Sequence, residues 1–197
     1  TVITSMGQNI RLDLNGYMLT NINNTILNIT TDSSLEITDL TEKKNGNITS
    51  SVAGTSILYS NMYKMIINNG NLNLSNGTLI SEQSCNHILY NSVNAITNIL
   101  EGNIIYRNKF SSEILYNEGT INVSGGNISH LGITNFSDKT PVIYNTNNGM
   151  INILGGKILR EVNDGSNTET CAIENNMGIV NIENGNISSV SEGWNTP

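Results

Sequence analysis

An all-β solenoid, a parallel β-helix of about six to seven coils with three short strands in each, is the fold class that this sequence predicts. Three observations predict it. First, one motif returns. Ile114-Leu115-Tyr116-Asn117, Ile121-Asn122-Val123, then Gly125-Gly126-Asn127-Ile128 is followed by Val142-Ile143-Tyr144-Asn145, Ile151-Asn152-Ile153, then Gly155-Gly156-Lys157-Ile158. Second, apolar residues alternate with Asn inside each copy, as in Leu72-Asn73-Leu74 and Val180-Asn181-Ile182, and a period of two is the period of a strand. Third, the chain holds 28 Ile and 36 Asn and is only 13% charged. Ile favours strands and Asn favours turns, whereas helical repeats of this length need Ala, Leu, Glu and Lys at a period of 3.6. A unit of this size cannot bury its own core and must stack on its neighbours.

Two markers give the period. The apolar pair before each Tyr begins at Ile26, Ile57, Ile88, Ile114, Val142 and Ala172, at spacings of 31, 31, 26, 28 and 30 residues. The Gly before the third strand falls at Gly77, Gly102, Gly126, Gly156 and Gly185, at spacings of 25, 24, 30 and 29. Equivalent residues of successive coils then stand one strand spacing apart, about 4.8 Å. Ile121, Ile151 and Val180 are expected to stack in the core, and Asn73, Asn122, Asn152 and Asn181 to line up outside.

The elements follow in order along the chain. Leu12-Asp13-Leu14-Asn15-Gly16 and Leu35-Glu36-Ile37-Thr38-Asp39 read as the second strand of two early coils. Glu42-Lys43-Lys44-Asn45 reads as a loop insertion. Ile57-Leu58-Tyr59 opens the next coil, and part of Met62–Asn71 reads as a further insertion, because Tyr59 precedes Leu72 by 13 residues while Tyr116 precedes Ile121 by five. Around Tyr144 the three strands are Val142–Asn145, Met150–Leu154 and Lys157–Val162. Asn-Gly and Gly-Asn pairs, among them Asn15-Gly16, Asn69-Gly70 and Asn184-Gly185, supply the positive φ of sharp corners. Leu131–Thr140, with Asp138 and Lys139, and Asn163–Thr170, with Asp164, read as neighbouring loops, either surface insertions or a rim that contacts a ligand. Trp194 reads as a cover for the last coil. Residues 1–197 form one β-helix domain, expected to be a segment of a longer extracellular protein.

Composition excludes several function classes. The net charge is −7 and the nine Lys and Arg are scattered, which gives no basic stripe for nucleic acid. No stretch reaches the ~18 apolar residues of a membrane span, so no membrane insertion is expected in this segment. Cys85 and Cys171 fall three coils apart, roughly 14 Å along the axis by the strand spacing, beyond disulfide reach. Both are expected to be free, buried thiols.

The motifs Leu12-Asp13-Leu14-Asn15-Gly16-Tyr17, Leu35-Glu36-Ile37-Thr38-Asp39 and the repeated Tyr-Asn, Ile-Asn-Val, Gly-Gly-x-Ile series cover nearly the whole chain. They resemble the right-handed parallel β-helix of pectate-lyase-like proteins and, more narrowly, the repeats of adhesin-like surface proteins of gut bacteria and methanogenic archaea. That resemblance implies an extracellular or cell-surface location and a role in attachment or carbohydrate contact. The fold hosts lyases, hydrolases, tailspikes and adhesins alike.

The candidate residues fall into three groups. Asp13, Glu36 and Asp39 form a weak carboxylate cluster. Asp13 and Glu36 are expected at the same outward position of adjacent coils, with Arg11 on the same face. Read functionally this is a weak Ca²⁺ site or an acid/base pair; read structurally it is a set of solvated carboxylates. Polysaccharide lyases of this resemblance use such an Asp cluster on Ca²⁺ with a basic residue. Asn68, Asn91, Asn117, Asn145 and Asn175 form an internal ladder of stacked amides. Tyr59, Tyr90, Tyr116 and Tyr144 form a column. It either points inward as stacked core, or outward with Ile57, Ile88, Ile114 and Val142 as an apolar, aromatic stripe for a partner copy or a sugar. His87 and His130 read as turn or surface residues. No complete catalytic constellation appears and no cofactor is required. The reading is an adhesin-like β-helix that presents loops for attachment to a surface glycan or protein, or to other copies of itself. A polysaccharide-active domain and a tailspike-like shaft are the alternatives.

Overall fold

A computed structural model describes the backbone of residues 2–4, 6–22, 24–51, 63–82, 85–107, 113–131, 140–165 and 171–193, and their side chains except at 2, 3, 22, 51, 85, 86, 162–165 and 191–193. All the regular structure among them is strand, arranged in three seven-stranded parallel sheets. Sheet A holds β1 (Val2–Ile3), β4 (Leu27–Ile29), β7 (Tyr63–Asn68), β10 (Cys85–Asn91), β13 (Leu115–Asn117), β16 (Ile143–Asn145) and β19 (Ile173–Asn175). Sheet B holds β2 (Asn9–Asp13), β5 (Ser34–Thr38), β8 (Asn71–Leu74), β11 (Ile96–Ile99), β14 (Thr120–Val123), β17 (Met150–Ile153) and β20 (Ile179–Ile182). Sheet C holds β3 (Met18–Ile22), β6 (Asn47–Ser51), β9 (Thr78–Ser81), β12 (Asn103–Tyr106), β15 (Asn127–His130), β18 (Lys157–Gly165) and β21 (Asn186–Gly193). The chain visits A, B and C in turn and then starts the next coil, which is a parallel β-solenoid.

Alternation sets what lies inside. In β14 and β17 the second and fourth residues are buried and the others half-buried. The pairing puts Ile121 beside Ile151 and Ile151 beside Val180, as the repeat predicts. Leu115 and Ile143 from sheet A, and Ile104, Ile128 and Ile158 from sheet C, close the same core. Each core position meets its equivalents above and below at about 4.8 Å, so a column of branched side chains packs without gaps.

Two of the three corners are short because backbone from adjacent coils must approach closely. At the A-to-B corner, a Cβ on Gly119 would stand 2.4 Å from the carbonyl oxygens of both Ser92 and Ala95. At the B-to-C corner, Gly126 has φ of 72° and a Cβ there would stand 2.0 Å from the Gly102 carbonyl oxygen. Only glycine meets both conditions. The C-to-A connections vary most, from three residues between β9 and β10 to twelve between β15 and β16.

Two expected registers are corrected. The strand above β10 is Tyr63–Asn68, with Ile66 beside Leu89 and Ile67 beside Tyr90. The segment Met62–Asn71 is therefore largely strand, the extra length lies before it, and the place expected for Tyr59 is held by Ile67. Tyr59 itself lies outside the described residues. In the first coils Arg11 pairs with Glu36 and Asp13 with Thr38, a slip of two from the expected Asp13–Glu36 neighbours. A slip of two keeps every side chain on its face, so alternation alone cannot detect it. Asn163 and Asp164, expected in a loop, belong to β18. Asp138, Lys139 and Trp194 lie outside the described residues. No helix among the described residues is long and apolar enough to cross a membrane.

Candidate functional site

The outer side of sheet A gathers the densest set of polar and aromatic groups. Residues 115–117, 143–145 and 173–175 run as short strands whose outer residues are Tyr116, Tyr144 and Glu174 in register, with Tyr90 one coil earlier. Leu89, Leu115 and Ile143 point inward and are buried, while Tyr90, Tyr116 and Tyr144 are half-buried. The Tyr column therefore faces out. The stripe expected beside it is absent, because Ile88, Ile114 and Val142 are fully buried. Ile114 and Val142 sit just before their strands begin, and Ile88 lies within β10 just after a register irregularity between Cys85 and His87, so at each place two consecutive side chains enter the core.

The rings stack on each other. Tyr90 and Tyr116 have centroids 5.5 Å apart at 11°, and Tyr116 and Tyr144 5.4 Å apart at 23°. Their faces are turned to neighbours and their edges and hydroxyls to solvent. Lys64 closes the top of the column, its Nζ 3.2 Å from the centre of the Tyr90 ring, a cation–π contact. The Tyr90 hydroxyl donates to Glu118 Oε2 at 2.5 Å, and Asn176 Nδ2 donates to the Tyr144 hydroxyl at 2.9 Å. The His87 ring lies 5.2 Å from that of Tyr116.

Electrostatics follow from these contacts. The hydrogen bond to Glu118, with burial and the Glu118 charge behind it, pushes the Tyr90 phenol up to about 12. Burial raises Tyr116 as well, helped by the charges of Glu118, Tyr144 and Glu113. Burial lowers Lys64, partly offset by Glu118. His87 is pushed down to about 4, chiefly by burial, with Lys64 adding to the effect and the hydrogen bond to Glu113 opposing it. His87 Nδ1 lies 3.2 Å from the Glu113 carbonyl oxygen. A carbonyl only accepts, so Nδ1 carries the proton of a neutral ring. The Glu113 carboxylate, 3.6 Å away, is therefore no ion-pair partner at neutral pH. The expectation of a surface His87 is corrected: it is 6% exposed. His130 is also buried, in sheet C.

Asp13, Glu36 and Asp39 are not brought together. Glu36 faces solvent, 3.6 Å from Arg11 Nε, and accepts from Ser75 Oγ at 2.8 Å. Asp13 Oδ1 caps its own corner, accepting from the amides of Asn15 and Leu40 at 3.0 and 3.2 Å. Asp39 is buried. Its Oδ1 accepts from the Gly16 amide and from the Thr41 amide and hydroxyl, and its Oδ2 from the Gly46 amide. Burial pushes this carboxyl up, but the hydrogen bonds from Gly46, Thr41 and Gly16 together hold it below the usual carboxylate range. Asp13 and Asp39 hold the neighbouring β2–β3 and β5–β6 corners, each reaching the other's turn through the Leu40 and Gly16 amides, while Glu36 lies within β5. Among the described residues no group of three or more His, Cys, Asp or Glu is placed to hold a metal ion.

The Asn ladder stands as expected. Asn68 Nδ2 donates to Asn91 Oδ1, Asn91 to Asn117, Asn117 to Asn145 and Asn145 to Asn175, at 2.9, 2.8, 2.7 and 2.8 Å. The first four are fully buried. Each of them also donates to a backbone carbonyl of the next coil, at Ile96, Thr120, Met150 and Ile179. A second ladder on the outer face of sheet B runs through Asn73, Asn98, Asn122, Asn152 and Asn181. Cys171 is free but only half-buried, and burial followed by the Glu174 charge raises its thiol. The side chain of Cys85 lies outside the described residues.

Sequence reasoning missed Lys64, Glu113 and Glu118 at this site. Glu118 had a signal, since it follows Tyr116-Asn117 directly and sits in the corner before Gly119. Lys64 had none, because its register depends on where the insertion falls. No protein-family model, curated protein or solved structure matches this chain.

Proposed function

We propose that this chain is an adhesin-like β-helix outside the cell, an extended scaffold that holds the outer face of sheet A against a surface glycan or protein. The observation that carries this reading is the outward Tyr90–Tyr116–Tyr144 column, whose rings are locked in place and whose edges and hydroxyls face solvent beside Glu118 and Asn176. Rings that cover each other's faces offer hydrogen bonds and edge contacts along a line, which suits an elongated partner lying along the helix axis. Tyr is a residue of choice for such surfaces, because one end is apolar and the other polar. The net charge of −7 supports an exposed, soluble scaffold. The likeness to pectate-lyase-like helices and to adhesin repeats belongs to the same proposal.

The two alternatives lose specific support. A polysaccharide-active site would need converging carboxylates, whereas Asp13 and Asp39 accept from backbone amides of their corners and Glu36 is engaged by Arg11 and Ser75. A trimeric shaft would use the apolar stripe, and Ile88, Ile114 and Val142 are in the core. The test is retention of the chain on immobilised polysaccharides and glycoproteins. Substituting Tyr116→Ala and Tyr144→Ala together is expected to abolish retention while the strand signal in circular dichroism persists. Equal retention by the double variant overturns the reading. Sedimentation with and without millimolar Ca²⁺ is expected to give a monomer in both cases, and a trimer would favour the shaft.

A further inference from the structure

The Tyr column of sheet A has two ends, and they differ. Tyr116 is covered by a ring on each face, Tyr90 on one side and Tyr144 on the other. The stack therefore leaves one face of Tyr90 and one face of Tyr144 uncovered by rings. The face of Tyr90 meets the Lys64 ammonium, with Nζ 3.2 Å from the ring centre. The Glu118 carboxylate accepts from the hydroxyl of the same ring at 2.5 Å, and its charge favours the Lys64 cation. This end is a finished cation site built from a ring face, an ammonium and a carboxylate.

At the other end the chain supplies a ring face and a carboxylate. Glu174 stands in register one coil beyond Tyr144, a strand spacing of about 4.8 Å along the axis. Glu174 is exposed, as are Asn175, Asn176 and Met177 after it. Asn176 Nδ2 donates to the Tyr144 hydroxyl at 2.9 Å and steadies the ring. Among the described residues the only ring placed against Tyr144 is Tyr116, the cation of the column is Lys64 at its far end, and no Lys or Arg pairs with Glu174. The face of an aromatic ring is negative. A ring face and a carboxylate in adjacent coils repel each other, and a cation placed between them turns that repulsion into two attractions.

We propose that Tyr144 and Glu174 form a cation site that takes the ammonium of a lysine side chain on a partner protein, closing the column there as Lys64 closes it at Tyr90. The inference rests on the attachment reading and narrows its partner to a protein with a basic segment. Charge supports that choice, since the chain carries a net −7 and the Glu113 and Glu118 charges reach the same rings. Shape supports it too. A gap of one strand spacing admits the narrow tip of a lysine stem, whereas an amino sugar carries its ammonium directly on a bulky ring.

Carbon-13 NMR of the tyrosine rings in the intact chain, titrated with penta-lysine, tests the site. The Tyr144 ring is expected to shift and saturate, while Tyr90, whose outer face Lys64 holds, stays in place. Penta-lysine acetylated at every amine is expected to move neither. Glu174 is exposed, so Glu174→Gln removes the charge without disturbing packing, and it is expected to weaken binding about two- to fivefold, the worth of a surface ion pair. Lys64→Met frees the outer face of Tyr90, and Tyr90 is then expected to respond together with Tyr144. General attraction of a polycation to an acidic protein would not produce that change. A Tyr144 ring unmoved by penta-lysine, an equal shift with the acetylated peptide, undiminished binding by Glu174→Gln, a Tyr90 ring still unmoved in Lys64→Met, or a tighter response to glucosamine oligomers would each overturn the proposal. Loss of retention by the Tyr116→Ala, Tyr144→Ala double variant, combined with an unmoved Tyr144 ring in the unaltered chain, would keep the attachment reading and overturn this inference alone.

Discussion

Sheets A and B share one core, one coil period and one corner, yet their outer faces differ. The face of B repeats a single amide, through Asn73, Asn98, Asn122, Asn152 and Asn181, bonded coil to coil at 2.7 to 2.8 Å. The face of A runs Ile67, Tyr90, Tyr116, Tyr144 and Glu174 in register, with Lys64, His87 and Glu118 against the rings. Four groups there, Lys64, His87, Tyr90 and Tyr116, have pKa values displaced by burial and neighbours, whereas the amides of B do not titrate. Uniformity along a solenoid face strengthens stacking, because each copy makes the same bond. On A the Tyr rings stack as well, but the Lys64, Glu118 and Glu174 charges beside them add nothing to that stacking, which is why the attachment reading is put on A.

The sharpest way to break the comparison is at the corner that both sheets share. Asn117→Ala removes a fully buried amide and strips partners from Asn145 Oδ1, the Met150 carbonyl and the Gly119 amide. Buried groups left unmet cost about 1–3 kcal/mol each and are not additive, so the variant is expected to lose about 4 kcal/mol by chemical denaturation. A loss no larger than that of an outer-face Asn variant would show that the inner ladder is dispensable.

Acid is expected to act on A and leave B alone. His87 has its ordinary value of 6.5 in the unfolded chain and about 4 when folded. Between these values the unfolded chain holds the extra proton. Stability is therefore full above 6.5, falls as the pH drops through the interval, and levels off below 4. The interval corresponds to on the order of 3 kcal/mol. His87→Gln should flatten this part of a stability-against-pH curve, while changes to the Asn face should not alter its slope. A curve of the same slope in His87→Gln would assign the acid response elsewhere.

Much of the fold was legible in the residues, and what was not has a physical reason. Ile121, Ile151 and Val180 stack as read, because a two-residue alternation fixes the face and one Gly recurs at the B-to-C corner from Gly77 to Gly185. The inner ladder was legible for the same reason, since Asn117 and Asn145 precede their Gly by two and four residues and open the same corner. Register across the insertion before Tyr63 was not legible. Ile57-Leu58-Tyr59 imitates the repeat in sequence, but Asn68-Asn69-Gly70 is the corner that follows β7. The same limit misplaced Asp13 against Glu36. Direction at bends was lost as well. Ile88 and Leu89 are adjacent, so alternation puts one of them outside, but both are buried just after the irregularity between Cys85 and His87 in β10. The buried Tyr106, His130 and Arg160 of sheet C share no residue type, so no repeat announces them. Only the pairing of β12, β15 and β18 brings them together.

The smaller effects set the two outer faces directly against each other. Tyr116 stacks on two rings, and such pairs are worth about 0.5–1.5 kcal/mol each, so Tyr116→Ala should cost about 2 kcal/mol. Tyr116→Phe should cost almost nothing, because stacking uses the ring and not the hydroxyl. If attachment uses the hydroxyl, the two substitutions separate the roles: Phe would keep stability and lose retention, while Ala would lose both. Asn122→Ala on sheet B removes two amide contacts, from Asn122 to Asn98 and from Asn152 to Asn122. Water can take both places on this half-buried face, so the expected loss is at most about 1 kcal/mol, with retention unchanged. An Asn122→Ala variant that unfolds as readily as Asn117→Ala would mean that exposure does not separate the two ladders. A variant that stays folded but loses retention would move the contact surface from A to B.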